Sequence, residues 1–182
     1  TVKDLLGLSG PHRHDPRRQK RYRVYYTKMP VSVKELDRRF KMKLQCMDEK
    51  MQISEITVFP EKTGTVQSIL LEAEREFHFA ENGTRILRLV HVGIVSHCLR
   101  VYQVFPNEMP AADVYAKIGN ATYGARVEEV PADELTIKSS ERLLPVGHYD
   151  KDPGRMFGVP FFIKVSNGET VESVSERIRK KL

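Results

Sequence analysis

The sequence predicts an α+β fold in which the order strand, strand, helix is used twice, 105 residues apart. Two observations carry the prediction. Apolar residues recur at Val66, Ile69, Ala73 and Phe77, and with the same spacing at Val171, Val174, Ile178 and Leu182, the stripe of a helix turned toward a core. Thr65 and Thr170 stand immediately before the two stripes, where a hydroxyl accepts from backbone N–H groups two or three residues on. Ahead of each helix lies a pair of segments with the two-residue alternation of half-buried strands.

In chain order, Thr1 to Leu6 is expected to form a short helical turn broken by Gly7 and Gly10, and Arg13 to Lys20 a loop. Tyr22, Val24 and Tyr26 alternate with Arg23 and Tyr25 into one strand, which Pro30 ends. Phe40, Met42, Leu44 and Cys46 alternate with Lys41, Lys43 and Gln45; the turn Asp48-Glu49-Lys50 leads to a strand around Ile56 and Val58. Pro60 and Gly64 then open the Thr65 helix. Ile86–Val95, Leu99–Val104 and Arg126–Val130 are three further strands, the last closed by Pro131. The later copy runs from Leu143–Tyr149 through a loop with Pro153-Gly154 and Gly158. Phe161, Ile163 and Val165 then alternate with Lys164 and Ser166, and Asn167-Gly168 turns into Thr170. The first unit thus reads ββαβββ from about Phe40 to Pro131, and the second stops after its helix at Leu182. A hairpin crossed by one helix and followed by more strands is the β-grasp order; other α+β topologies with this order are fewer.

Composition narrows the function classes. The 182 residues are 40% hydrophobic and 30% charged, those of a globular chain with a modest core. No apolar run approaches the ~20 residues of a spanning helix, so no membrane partner is expected. The start has no signal-peptide pattern, and two cysteines make no disulfide framework. The net charge of +6 is uneven: residues 1–43 hold 13 Lys/Arg against 4 Asp/Glu, and the remainder is slightly acidic.

Several segments resemble the carboxy-terminal half of the herpesvirus-associated ubiquitin-specific protease family, which includes plant relatives. They are Thr1-Val2-Lys3-Asp4-Leu5-Leu6, Ile56-Thr57-Val58-Phe59-Pro60, Arg88-Leu89-Val90, Arg126-Val127-Glu128-Glu129-Val130-Pro131 and Phe157-Gly158-Val159-Pro160-Phe161-Phe162-Ile163, with Gly168-Glu169-Thr170 behind them. In that family a cysteine-protease domain precedes five ubiquitin-like domains. The resemblance implies tandem ubiquitin-like (β-grasp) domains, one complete and flanked by partial neighbours. Residues 1–30 would end a preceding domain and carry a basic loop, 38–131 form the complete domain, 132–141 the linker, and 142–182 the ββα half of the next. It implies a non-catalytic module of a deubiquitinating thiol protease, without cofactor, in nucleus and cytoplasm. Its expected partners are the catalytic domain of the same protein, lysine-rich peptide segments, and ubiquitinated substrates through the parent enzyme. The family's activating tail has no counterpart here, so the chain by itself is not expected to activate. The unfinished second unit is expected to be less stable than the first.

Four sets of residues were candidates for chemistry. Cys98 follows His97, but neighbours on a strand point to opposite faces, and Cys46 sits on an apolar face; both read as ordinary thiols. The scattered histidines lack metal-ligand spacing. Arg17, Arg18, Lys20, Arg21 and Arg23, with Arg13 and interleaved Tyr22 and Tyr25, read first as a solvated linker and next as a protein-docking or import loop. Nucleic-acid binding through Arg13–Arg23 is the alternative function. Glu128, Glu129, Asp133 and Glu134, around Val130-Pro131, are candidates for docking lysine-bearing peptides.

Overall fold

The computed structural model describes residues 32–95, 98–119, 124–149 and 156–182. The Tyr22–Tyr26 strand expectation and the basic run lie outside them. Contacts divide the chain into residues 1–30 and 31–182, and every described residue falls in the second part. These residues form a mixed α+β arrangement of two sheets and four α-helices.

Strands β1 (Met42–Met47) and β2 (Ile53–Val58) pair antiparallel. Their turn is built by Asp48, whose Oδ1 accepts from the amides of Lys50 at 2.9 Å and Gln52 at 2.8 Å, with Met51 at φ 57°. A single helical turn, α1 (Val33–Leu36), precedes them. Sequence reading missed it, although Ser32-x-x-Glu35 is a capping pattern; the Ser32 amide donates to Glu35 Oε2 at 3.1 Å.

Helix α2 (Val66–Ala73) buries the expected stripe: Val66, Ile69 and Ala73 are inaccessible, and Phe77 is buried just beyond the helix. Thr65 is the N-cap, as expected, and Ser68 closes a capping box from the other side. Ser68 Oγ accepts from the Thr65 amide at 3.1 Å and donates to the Thr65 carbonyl at 2.7 Å.

Strands β3 (Leu87–Val95), β4 (Cys98–Val104) and β5 (Ala125–Glu129) complete a five-stranded sheet of order β2-β1-β5-β3-β4, in which β1 and β5 run parallel. Between β4 and β5 lies an unforeseen helix, α3 (Ala111–Ile118), bounded by Pro110 and by Gly119 at φ +56°. Its buried Ala111, Val114 and Ile118 join α2, Leu44, Leu89, Phe105 and Val127 in the main core, on one face of the sheet.

A second sheet pairs β6 (Glu141–Tyr149) with β7 (Met156–Ser166), and helix α4 (Val171–Lys181) follows. Here the cap is as expected: Thr170 Oγ1 accepts from the Ser173 amide at 3.3 Å. The stripe is not buried. Val171 is 82% and Leu182 60% exposed, Val174 and Ile178 are half-buried, and no α4 residue is fully buried. The hairpin is buried only through β7, at Pro160–Ile163 and Val165, and no β6 residue is buried. Phe162 packs with Val90, Val92 and Val101 on the sheet face opposite α2, with Leu143, Leu99 and Val104 at the margin.

Candidate functional site

The centre of this second packing layer is ionic. Alternation along β5 places Val127 in the main core and Arg126 and Glu128 together on the opposite face. The β3–β5 register sets Arg88 directly across from Glu128 and Val90 across from Arg126. On an open sheet such charges would be solvated. Here β7 covers them, leaving Arg126 at 0% and Glu128 at 2% exposure. Gln45, beside Arg126 in the parallel register, is buried as well.

Glu128 pairs with two guanidinium groups at once. Its Oε1 accepts from Arg88 Nε at 2.8 Å and lies 2.7 Å from Arg88 Nη2; its Oε2 accepts from Arg126 Nε at 3.0 Å and lies 2.7 Å from Arg126 Nη2. A 3₁₀ turn at Ala132–Glu134 brings in Glu134, whose Oε2 accepts from Arg88 Nη1 at 2.6 Å. The network then crosses to the second sheet. Arg126 Nη1 donates to the Pro160 carbonyl at 2.8 Å, and the Arg88 guanidinium stands 5.3 Å over the Phe162 ring. Lys181, at the end of α4, donates to the Phe162 carbonyl at 3.0 Å, lies 3.7 Å from Glu134 Oε1, and sits 5.1 Å above the Phe161 ring.

Two cations, Arg88 and Arg126, and two carboxylates, Glu128 and Glu134, are removed from water, with the half-exposed Lys181 at their margin, and each buried ion carries a desolvation penalty of several kcal/mol. It is recovered only by multiple charge-assisted hydrogen bonds, which these residues make. Pairing is not complete, since Gln45 Oε1 and Arg126 Nη2 are buried without a hydrogen bond, Nη2 having only its ion pair with Glu128; even so the arrangement is a positional latch, because moving the two sheets apart would leave more buried charge bare.

Of the candidate docking residues, Glu128 and Glu134 are thus inside the latch, bonded to arginines of the same chain. Glu129 accepts from the Ala80 amide at 3.0 Å and the Arg85 amide at 2.7 Å. Asp133 is exposed, with no partner among the described residues. Arg17, Arg18, Lys20, Arg21 and Arg23 lie outside the described residues. Sequence reading did not single out Arg88, Arg126 or Lys181. The signal available to it was the alternation Arg126-Val127-Glu128, with Arg88 in a neighbouring strand.

Cys46 lies on β1 and Cys98 on β4. Both are buried free thiols, and burial, aided by the Glu76 carboxylate, pushes the Cys46 thiol up to about 12. Among the described residues no group of three His, Cys, Asp or Glu is placed to hold a metal ion, and no helix is long and apolar enough to cross a membrane.

Comparison with known proteins agrees with the resemblance at family level. The family model described as "Ubiquitin-specific protease C-terminal" matches residues 23–182. "Ubiquitin carboxyl-terminal hydrolase 7" of Caenorhabditis elegans is 38% identical over 177 residues, 93% of this chain and 16% of that protein. The protein of the same name from Drosophila melanogaster is 29% identical over the whole chain, again 16% of its own length. "Ubiquitin C-terminal hydrolase 13" of Arabidopsis thaliana is 31% identical over 66% of this chain and 10% of its own. The chain therefore spans about a sixth of the hydrolase 7 relatives it matches. The match along residues 23–182 places both sheets and the latch inside one family region, and the chain belongs to the ubiquitin-specific protease C-terminal family.

Proposed function

We propose that this chain is a non-catalytic, ubiquitin-like module of a deubiquitinating cysteine protease, and that it regulates the catalytic domain of its parent. The observation that carries the reading is the family match across residues 23–182. The fold supports it. Strand order β2-β1-β5-β3-β4 with parallel central strands and α2 across one face is the β-grasp arrangement, so 38–131 is read as one complete ubiquitin-like domain. The hairpin β6–β7 with α4 repeats its first half, so 142–182 is read as the opening of the next, with 132–141 between them; that 1–30 ends the one before rests on the resemblance alone.

The latch gives this module its mechanical property. A buried ionic network of this kind resists bending where the two units meet, so that they act on the catalytic domain as one body. Lysine-bearing peptides remain a proposed partner class, and Asp133 is the acidic candidate left open to them. The nucleic-acid alternative gains no support from the matched relatives.

The test is hydrolysis of a ubiquitin–fluorophore conjugate by the parent's catalytic domain. This chain alone is expected to show no hydrolysis, and the chain extended through the next domain and tail is expected to raise turnover in trans. Unchanged turnover at saturating concentration, or activity of the chain itself that Cys98→Ala abolishes, would refute the reading.

A further inference from the structure

We propose that the free edge of β4 is a docking site for an extended, acidic peptide, which adds to the sheet as a sixth strand. β4 is the last strand in its sheet, paired with β3 on one side. Among the described residues no backbone hydrogen bond reaches its other edge, so alternate N–H and C=O groups there are available as a template. That edge opens on a groove of about 540 Å³, within the size range of ligand sites. Leu99–Tyr102 form one wall; Pro145, Gly147 and Tyr149 of β6, with Pro160 of β7, form the other.

The two walls are not equivalent. Pro145 has no N–H and interrupts any ladder along β6, the usual protection of an edge strand. β4, Cys98–Val104, carries no proline and a single charge, Arg100, among β-branched and aromatic residues suited to pairing. A strand entering the groove therefore pairs with β4 and meets β6 through side chains.

The groove is preformed. The Tyr102 ring lies where a Cβ on Gly93 would stand, 2.9 Å away, and the Tyr149 ring comes within 3.1 Å of the corresponding position on Gly147. Each tyrosine is thus laid on glycine backbone, and Tyr102 is further held against His91, ring centroids 4.9 Å apart. Little side-chain entropy remains to be lost on binding. Arg100 supplies the sign. It is exposed, stands opposite Gly93, which offers no side chain, and has no ion pair or hydrogen bond among the described residues. A carboxylate on the incoming strand satisfies it.

The test is selection of displayed random heptapeptides on the full 182-residue chain, followed by titration of the recovered peptide into ¹⁵N-labelled protein. The expected peptide carries Asp or Glu and shifts the amides of Leu99–Tyr102. Arg100→Glu, at an exposed site that leaves the fold intact, weakens binding at least about tenfold. Methylation of alternate backbone nitrogens of the peptide abolishes binding while its side chains are unchanged. The proposal is overturned if no peptide is recovered, if recovered peptides lack a carboxylate or bind the Arg100→Glu chain equally, if the shifts map elsewhere, or if the methylated peptide binds as well.

Discussion

Replacing Glu128 by Gln removes one charge and almost no volume, and the latch predicts a large effect. The carboxylate has 2% exposure and four guanidinium nitrogens within 2.7–3.0 Å. Its loss leaves Arg126 with the Pro160 carbonyl and Arg88 with Glu134, both still out of water. Breaking a buried pair from one side costs about 3–5 kcal/mol, a large share of the ~5–15 kcal/mol by which domains are stable. With a urea slope of about 2 kcal/mol per M, the midpoint falls by about 2 M. Changing Arg88, Arg126, Glu128 and Glu134 together to Met is expected to cost less than Glu128→Gln alone, since no bare charge is then left buried and Lys181 is half-exposed. The assay is urea unfolding followed by far-ultraviolet circular dichroism. A midpoint for Glu128→Gln corresponding to less than about 0.5 kcal/mol of change would refute the reasoning, because it would mean that water or another group already satisfies these arginines.

Other consequences are read from separate features. The Cys46 thiol, pushed up to about 12, is expected to react with a disulfide reagent at pH 8 only on unfolding, and rapid reaction of the native protein would contradict that. His91 is held below its usual value by burial and by Lys117, between the Tyr102 and Phe105 rings. The folded state therefore prefers the neutral ring; this stability is full above pH ~6.5 and is lost as pH falls through the lowered value, so His91→Phe should flatten the decline between pH 7 and 5 seen in thermal melts. Gly124→Ala would set a methyl 2.6 Å from Ile118 Cβ and 3.1 Å from its Cα, and should cost about 1–3 kcal/mol in the same unfolding assay. Amide exchange should be slow in β7 at Phe161–Ile163 and faster along α4, whose Val171 and Leu182 are exposed and whose Val174 and Ile178 are only half-buried; equal protection would argue that α4 is covered in solution.

What the sequence revealed depended on how local the signal was. The α2 stripe and the alternation of β1 are intrinsic to short windows, and Val66, Ile69, Ala73, Met42, Leu44 and Cys46 lie in the core as expected. The same kind of window misjudged Val171 and Leu182, since spacing reports an amphipathic face and not whether anything packs on it. Helix α3 escaped notice because eight residues hold only two turns, although Ala111, Val114, Tyr115 and Ile118 have helical spacing. The latch was the least legible. Glu128 and Glu134 read as docking candidates on a connector until β7 and the arginines are seen to cover them, and those contacts join residues more than thirty positions apart. Glu128 and Glu134 therefore face inward to arginine.

The most direct measurement is steady-state hydrolysis of a ubiquitin–fluorophore conjugate by the intact parent enzyme and by the same enzyme lacking the region matched at residues 23–182. The regulatory reading predicts that the shortened enzyme retains its catalytic site but turns over more slowly. Equal kcat and KM for the two forms would contradict it.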